Sequence, residues 1–261
     1  MRPTVDRHLE HLWQRCVDLN SPRCSIIIPA RNEHNSITPV LLRIAEGVTL
    51  PFECLVIVDD EDDLTVGVVG DIGAEDPRFK TVVNEPAGGP AAAIKTGILE
   101  STAPVVVVTM ADGSDDPRSI DDLVRLVERG VVVAAASRYM AGGQQVGAPL
   151  FKSLLSRLAG LSLYWFARVG THDATNSFKA YDRSFLEAVG VDSTQGFEMG
   201  LELVAKARRA RLPVAEVPTI WLERTAGTSQ FRVWKWIPRY LRWYLLSYTR
   251  SRISPMTSTD L

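Results

Sequence analysis

The chain has 261 residues, of which 46% are hydrophobic and 23% charged, with a formal net charge of -2. This is the composition of an ordinary globular protein able to bury a proper core in one large or two small domains. Three cysteines (Cys16, Cys24, Cys54), odd in number and without close pairing, argue against a disulfide scaffold or a zinc site.

Residues 1–23 read as a short amphipathic helix (Leu9, Leu12, Trp13, Cys16, Val17) ended by Ser21-Pro22. Strand and helix patterns then alternate. Strand Cys24 to Ile28 precedes a helix over Ile37 to Ala45, with Asn35 or Ser36 as its cap. Strand Phe52 to Val58 leads to a helix holding Val66, Val68 and Val69, and strand Lys80 to Val83 leads through Gly88-Gly89-Pro90 to an Ala-rich helix, Ala91 to Leu99. Strand Val105 to Met110, helix Ser119 to Glu128 and strand Val131 to Ala136 follow. Repeated units of this length predict an α/β fold, a mostly parallel sheet flanked by helices.

After Ser137 the rhythm changes. A Gly-rich loop (Gly142, Gly143, Gly147) precedes a long aromatic helix, Leu150 to Val169. Its most apolar part, Leu158 to Ala167, is about half of the roughly 20 residues that a membrane-spanning helix needs. Then come a strand-like Ser177 to Tyr181, helices over Ser184 to Val189 and Phe197 to Ala210, the extended Val214 to Trp221, and a basic aromatic helix from Arg232 to Tyr248.

Two apolar strands stop at carboxylates. Val105 to Val108 runs into Ala111-Asp112-Gly113-Ser114-Asp115-Asp116, and Phe52 to Val58 ends in Asp59-Asp60-Glu61-Asp62-Asp63. Ligands of open α/β sheets sit beyond the carboxyl ends of the strands. Carboxylates there are hard-oxygen ligands for Mg2+ or Mn2+, and such an ion can neutralise a diphosphate. Acids are sparse at the other end of the chain: between Glu223 and Asp260 there is none, while Arg224, Arg232, Lys235, Arg239, Arg242, Arg250 and Arg252 fall in that interval. This asymmetry predicts a metal-and-phosphate site in one region and an anion-facing surface in the other.

Landmarks recur in a fixed order: Ser25-Ile26-Ile27-Ile28-Pro29-Ala30-Arg31-Asn32-Glu33, Val58-Asp59-Asp60, Gly88-Gly89-Pro90 with Gly97, Ala111-Asp112, Ser137-Arg138-Tyr139, Asp173 to Phe178, Glu216-Val217-Pro218, and Arg224 to Ser229. The set resembles the family 2 glycosyltransferases with the GT-A fold, most closely the branch of dolichyl- or polyprenyl-phosphate mannosyltransferases and glucosyltransferases. The resemblance spans about residues 24 to 240 and divides the chain into an N-terminal helical extension (1–23), a GT-A domain (24–230) and a C-terminal basic amphipathic segment (231–261).

The resemblance implies an inverting transfer from a nucleoside-diphosphate sugar, of GDP-mannose or UDP-hexose type, to a polyprenyl phosphate. It assigns donor binding to Pro29, Ala30, Glu33, Asp59, Asp60, Asp112 and Arg138. For Glu33 the competing reading is a helix-start acid favoured by the macrodipole. The family's Asp-x-Asp metal motif has Met110 at its first position here, so Asp112 becomes the principal ligand of a divalent cation, Mg2+ or Mn2+. Met110, a poor partner for a hard cation, is then expected in the core, and Asp115 or Asp116, or water, fills the second position.

Arg138 and Arg224 are the expected phosphate contacts, since guanidinium binds phosphate oxygens bidentately. The resemblance places Arg224 to Ser229 in a loop closing over donor and acceptor phosphates, so Arg224, Ser229 and Lys235 are assigned to the acceptor phosphate. The residue after that serine is usually lysine in the branch and is Gln230 here, which favours the alternative of a hydroxyl acceptor on a saccharide or small molecule. A hydroxyl requires a general base, and Asp173, Glu198 and Glu202 are the candidates. Asp173 and Glu202 are expected to shape the acceptor site. Met110 also motivates a third reading, a nucleotide-sugar-binding protein without turnover.

In the last helix Trp234, Ile237, Leu241, Leu245 and Tyr248 recur at helical spacing beside Arg232, Lys235, Arg239 and Arg242. Such a helix suits either a peripheral membrane surface or packing on the domain. No recognition motif accompanies the basic patch, so nucleic acid is not an expected partner. Cysteine usage and the polar first residues predict a cytoplasmic protein, peripheral on the membrane face.

Overall fold

The computed structural model describes residues 21–249 except 86, 148–149, 195 and 224–232, and the side chains of 150–152 and 233–237 are also outside the description. The N-terminal helix expected before residue 21 therefore lies outside the described residues, as does the tail from 250.

Four β-α units come first: β1 (Cys24–Pro29) with α1 (Ile37–Gly47), β2 (Phe52–Val58) with α2 (Leu64–Glu75), β3 (Phe79–Val83) with α3 (Gly89–Glu100), and β4 (Val105–Val108) with α4 (Ile120–Glu128). Then follow β5 (Val133–Ser137), β6 (Gln144–Val146), α5 (Leu150–Ser162), β7 (Lys179–Asp182), α6 (Arg183–Val189), α7 (Met199–Ala210), β8 (Val214–Pro218), β9 (Ile220–Leu222) and α8 (Val233–Tyr248). Seven strands form one sheet in the order β3-β2-β1-β4-β7-β5-β8, and β6 and β9 form a small parallel pair. The large sheet is parallel except for β7, which runs antiparallel between β4 and β5.

Alternation along the strands sorts the core into two layers. Ile26, Ile28, Val105 and Val107 pack with Ile37, Leu41 and Ile44 of α1 and Leu123 and Val124 of α4. Ile27, Val106 and Val108 face the other way, onto Ile94 of α3 and Leu201 and Val204 of α7. Fully burying one such aliphatic side chain contributes about 1.5–3 kcal/mol. Gly97 sets the close approach of α3: a Cβ there would stand 2.6 Å from Cγ2 of Ile27.

Several elements differ from expectation for physical reasons. β4 stops at Val108 because the Asp115 carboxylate accepts from Thr109 Oγ1 (3.0 Å) and the Met110 N–H (3.2 Å), drawing the chain out of the sheet. Met110 is accordingly half-buried at the strand end and not in the core. The aromatic helix is α only to Ser162; a π turn, Leu163–Ala167, then closes on Arg168, whose left-handed backbone (φ 55°) returns its N–H to the Leu163 carbonyl. The extended Val214 to Trp221 divides at Thr219: its N–H bonds the Ser137 carbonyl, and the next residues leave to pair with β6.

Candidate active site

β2 and β3 lie on one side of β1, and the chain then crosses to β4 on the other side. The loops leaving β1 and β4 therefore part, opening a crevice at their carboxyl ends, the place where α/β sheets take ligands. On the β1 side, Ala30 donates its N–H to the Ile57 carbonyl (2.8 Å), and Asn32, left-handed at φ 56°, donates to Asp63 (2.7 Å). Asp63 also caps α2 through the Thr65 N–H (2.8 Å). Burial opposes its charge, but the bonds from Thr65 and Asn32 outweigh this and hold the carboxyl below the usual range.

Glu33 is half-buried, its backbone N–H on Thr65 Oγ1 (3.0 Å) and its carboxylate accepting from Ser36 Oγ. It precedes α1 by four residues, so it is not a first-turn acid, and Ser36 makes no side-chain cap bond to that helix. Asp59 accepts from Asn84 Nδ2 (2.7 Å), which in turn accepts from Thr96 Oγ1 (2.7 Å), while Asp60 is exposed with Oδ1 on the Asp62 N–H (3.0 Å). The structure thus gathers Pro29, Ala30, Glu33, Asp59 and Asp60 on two adjoining strand-end loops.

At the end of β4, Asp112 is half-buried and accepts from the Ser114 N–H (3.0 Å). Asp115 is 6% exposed, with Oδ2 on Thr109 and Met110 and Oδ1 buried without a partner. Burial, then the nearby Asp112 charge, push its pKa up to about 7. Asp116 instead caps the 3-10 turn (Pro117–Ser119) and forks onto Arg118 (2.7 Å), which leaves Asp115 as the carboxylate coupled to Asp112. Arg43 of α1 holds this loop from behind, donating to the carbonyls of Gly113 (2.9 Å) and Asp115 (3.2 Å).

Among the described residues no group of three or more His, Cys, Asp or Glu side chains is arranged to hold a metal ion. Two carboxylates, one with an orphaned buried oxygen, fit instead a cation of the Mg2+ type, which is commonly bound by one or two carboxylates plus substrate phosphates.

Antiparallel β7 starts at this same edge and carries residues 173–179 there. Arg138, at the end of β5, donates from Nε (2.7 Å) and Nη2 (2.9 Å) to fully buried Asp173, which also accepts the Arg138 backbone N–H (3.1 Å). Burial opposes the Arg138 charge, but Asp173 raises its pKa. Asp173 is therefore the group that orients Arg138 and is not placed to take a proton from an acceptor. Tyr139 and Trp221 lie 5.0 and 6.0 Å from the guanidinium.

Lys179 joins the cluster without any sequence motif pointing to it; the one signal was a charge inside an apolar strand. It is fully buried, donates to the carbonyls of Ala174 (3.2 Å) and Asn176, and its pKa is driven down to about 7 by burial. Gly200 allows α7 to start beside it, a Cβ there lying 3.4 Å from Lys179 Nζ.

Glu202 has a different environment. Its carboxylate accepts from the N–H groups of Asp192 (2.6 Å) and Ser193 (2.8 Å) and from Ser193 Oγ, and it pairs with Lys206 (2.7 Å). That is a loop-tying role, contrary to an open acceptor-side base. Glu198, by contrast, is 2% exposed, makes no side-chain cap bond to α7, and has Oε2 without a partner. Arg224 and Ser229 lie outside the described residues, and of Lys235 only the backbone is described. The strand leading towards Arg224 is fixed at the acidic loop: the Leu222 N–H bonds the Ser114 carbonyl (2.9 Å) and the Glu223 N–H bonds Val146 (2.9 Å).

The fold agrees with comparisons to known proteins. The model of the family described as glycosyl transferase family 2 matches residues 25–190. A polyprenol monophosphomannose synthase of Mycolicibacterium smegmatis is 28% identical over 214 residues, covering 80% of each chain. A dolichol-phosphate mannosyltransferase of Pyrococcus furiosus is 27% identical over 225 residues, covering 84% of this chain and 62% of that protein. A glucosyl-3-phosphoglycerate synthase of Mycobacterium tuberculosis, solved with Mn2+, UDP and glucosyl-3-phosphoglycerate, shares the fold with a TM-score of 0.64 at 18% identity, over 95% of this chain and 85% of that one. The mostly parallel sheet with its flanking helices is thus the GT-A architecture, and the chain belongs to glycosyl transferase family 2, an enzyme that transfers sugars.

Proposed function

We propose that the enzyme moves a sugar, with inversion, from a nucleoside-diphosphate sugar of GDP-mannose or UDP-hexose type to a polyprenyl phosphate. The observation that carries this reading is the Asp112–Asp115 pair at the β1/β4 crevice, with one buried oxygen of Asp115 that has no hydrogen-bond partner among the described residues. A divalent cation, Mg2+ or Mn2+, held by Asp112 and Asp115 would neutralise charge on the leaving diphosphate. The similar synthase solved with Mn2+ and UDP supports that assignment, and the names of the two similar transferases support a lipid-phosphate acceptor.

In the transfer, an acceptor oxygen forms a bond to the anomeric carbon as the bond to the diphosphate breaks, and the diphosphate leaves with the electron pair. Pro29, Ala30, Glu33, Asp59 and Asp60 hold the base and ribose, carboxylates accepting from N–H and hydroxyl groups. Arg138, oriented by Asp173, presents a preset cation at the phosphate side. Arg224, Ser229 and Lys235 hold the acceptor phosphate. A phosphate monoester is ionised at neutral pH and needs no base.

A second reading keeps the donor and uses a hydroxyl acceptor. Gln230 favours it, and Glu198 offers it a buried carboxylate with one oxygen that makes no hydrogen bond. The deciding experiment supplies GDP-mannose and UDP-glucose with Mn2+ or Mg2+, with and without polyprenyl phosphate. Label passing into the organic phase only with lipid phosphate is the expected result. Donor turnover that lipid phosphate does not stimulate would overturn the acceptor, and turnover unaffected by chelation would overturn the cation.

A further inference from the structure

The landmark Glu216-Val217-Pro218 takes no part in the donor and acceptor contacts described so far, yet its glutamate is tied to them. Glu216 lies on β8 opposite Ala135 of β5, and Arg138 stands three residues further along that neighbouring chain. Both oxygens of its half-buried carboxylate are bonded. Oε2 accepts from Thr171 Oγ1 (3.0 Å) and the His172 N–H (2.8 Å), and Oε1 meets Nδ1 of the His172 ring.

Thr171, fully buried, passes the tie along. Its hydroxyl donates to Glu216 and accepts from the Asp173 N–H (3.1 Å), and the Asp173 carboxylate takes three bonds from Arg138. A circuit therefore closes, from β5 through Arg138, Asp173, Thr171 and Glu216 to β8, and back across the pairing of β8 with β5. His172 is held from two further sides. Its ring stacks on Tyr164 of the π turn, with centroids 3.6 Å apart and planes at 22°. Behind it α5 comes so close that a Cβ on Gly160 would stand 2.2 Å from the His172 carbonyl oxygen.

An Arg–Asp pair fixes its two members relative to each other and not relative to the sheet. Residues 168–178 belong to no strand or helix, so no backbone ladder sets where Asp173 stands. Downstream of it, Asn176 donates to the Ala136 carbonyl (2.9 Å) and Lys179 to that of Ala174 (3.2 Å). Upstream, the anchor to the sheet is Glu216. A cation that must meet phosphate charge without reorganising depends on such anchors, since a displacement of about 1 Å can cost on the order of 100-fold in rate.

We propose that Glu216 is a positioning residue for the transfer: acting through Thr171 and Asp173, it holds the Arg138 guanidinium in place at the phosphate side of the crevice. The role rests on the phosphate contact given to Arg138. Glu216 moves no proton in it, so glutamine can stand in. The amide oxygen accepts from Thr171 and the His172 N–H, and the amide NH2 donates to Nδ1 in the other ring tautomer.

The test joins kinetics of the full chain, on GDP-mannose and UDP-glucose with polyprenyl phosphate, to NMR of protein carrying isotope-labelled arginine. In the wild type the Arg138 Nε–H, identified by its absence from Arg138→Lys, should give a signal protected from solvent exchange. Thr171→Val keeps the shape and removes the hydroxyl. It should lose that protection and lower kcat per folded molecule roughly tenfold, with donor KM little changed. Thr171→Ser and Glu216→Gln should keep both the signal and kcat. Arg138→Lys should lower kcat at least as much, and Thr171→Val should add nothing to it, because the two act through one group.

A Thr171→Val enzyme with wild-type kcat and a protected Nε–H would overturn the positioning role and leave Arg138 its phosphate. Undiminished kcat in Arg138→Lys would overturn the phosphate contact itself, and the role of Glu216 with it. If Thr171→Val does not fold, Glu216→Gln is set against Glu216→Met: retention of signal and kcat by the first and their loss in the second support the role, and a loss in Glu216→Gln or retention in Glu216→Met overturns it. The Nε–H signal is read without any acceptor, so it decides the structural half even if the acceptor is not a lipid phosphate.

Discussion

Glu202 and Asp115 are both buried carboxylates, 0% and 6% exposed, yet they do opposite things. Around Glu202 every requirement of a buried charge is met: two backbone N–H groups, a hydroxyl and Lys206. Asp115 has partners for one oxygen, none for the other, and a carboxylate neighbour. A buried charge with a full set of partners is architecture, and one left incomplete next to a like charge marks a place for a ligand. Both acids are legible in the sequence; their difference is visible only in the partners.

The sharpest way to break that comparison is at the site itself. Asp112→Asn should lower kcat by about 10²–10³-fold at saturating metal, since a cation stabilises several kcal/mol of developing charge, while the melting temperature stays unchanged. Undiminished turnover would remove Asp112 from the site. Arg224→Ala should lower kcat roughly 10- to 100-fold, the worth of a charge-assisted hydrogen bond, with a smaller change in KM. A rise in KM alone would make it a uniform binding contact.

On the architectural side, Glu202→Ala leaves two backbone N–H groups and the Ser193 hydroxyl without their acceptor, while Lys206 keeps Asp192 and the carbonyls of Val189 and Gly190. Urea denaturation should show a loss of about 1–3 kcal/mol for each buried donor left unsatisfied, with kcat per folded molecule retained. If kcat collapses in protein that remains folded, Glu202 belongs to the chemistry and the contrast with Asp115 fails.

The last effect is in the pH dependence of stability. Asp115 is pushed up to about 7 from 3.8, so the folded state binds more protons than the unfolded one between those values and stability falls as pH rises through that window. Lys179 is driven from 10.5 to about 7, so the unfolded state binds more protons above 7 and stability rises from there towards 10.5. Together the two groups produce a dip near neutrality. Urea midpoints for Asp115→Asn should lose the descending limb and those for Lys179→Met the ascending one. Mn2+ should flatten the descending limb in the wild type and in Lys179→Met, and change nothing in Asp115→Asn.

The parallel half of the sheet was legible because its strands are apolar runs halted by acids, Val56 to Asp60 and Val105 to Asp112. The acidic loops after β2 and β4 could be located for the same reason, whereas the loop after β1 was singled out by the resemblance that Pro29 to Glu33 carries. The direction of Lys179 to Asp182 could not: a short half-apolar strand carries no record of which neighbour it will pair with. β6 was hidden in a polar, glycine-flanked stretch, Gln144 to Val146. The Arg138–Asp173 pair joins positions 35 residues apart, and nothing local announces it. Glu198 precedes α7 and Glu202 stands one turn inside it, so spacing alone does not tell which carboxylate is held by neighbouring donors and which keeps an oxygen without one.

The antiparallel strand also sets an order of assembly. Among the described residues β4 pairs only with β1 and β7, and β5 only with β7 and β8, so β5 has no strand pairing with the first half of the sheet until residues 179–182 arrive. During synthesis the first four strands can close on themselves, but they carry an open edge on β4 while the next seventy or so residues emerge, at a pace of seconds. Arg138, Asp173 and Lys179 come together in the same late event, since β7 is what brings them to one edge. Long-range closure of this kind is slow, so in this enzyme the last strand to enter the middle of the sheet is also the one that completes its charged site.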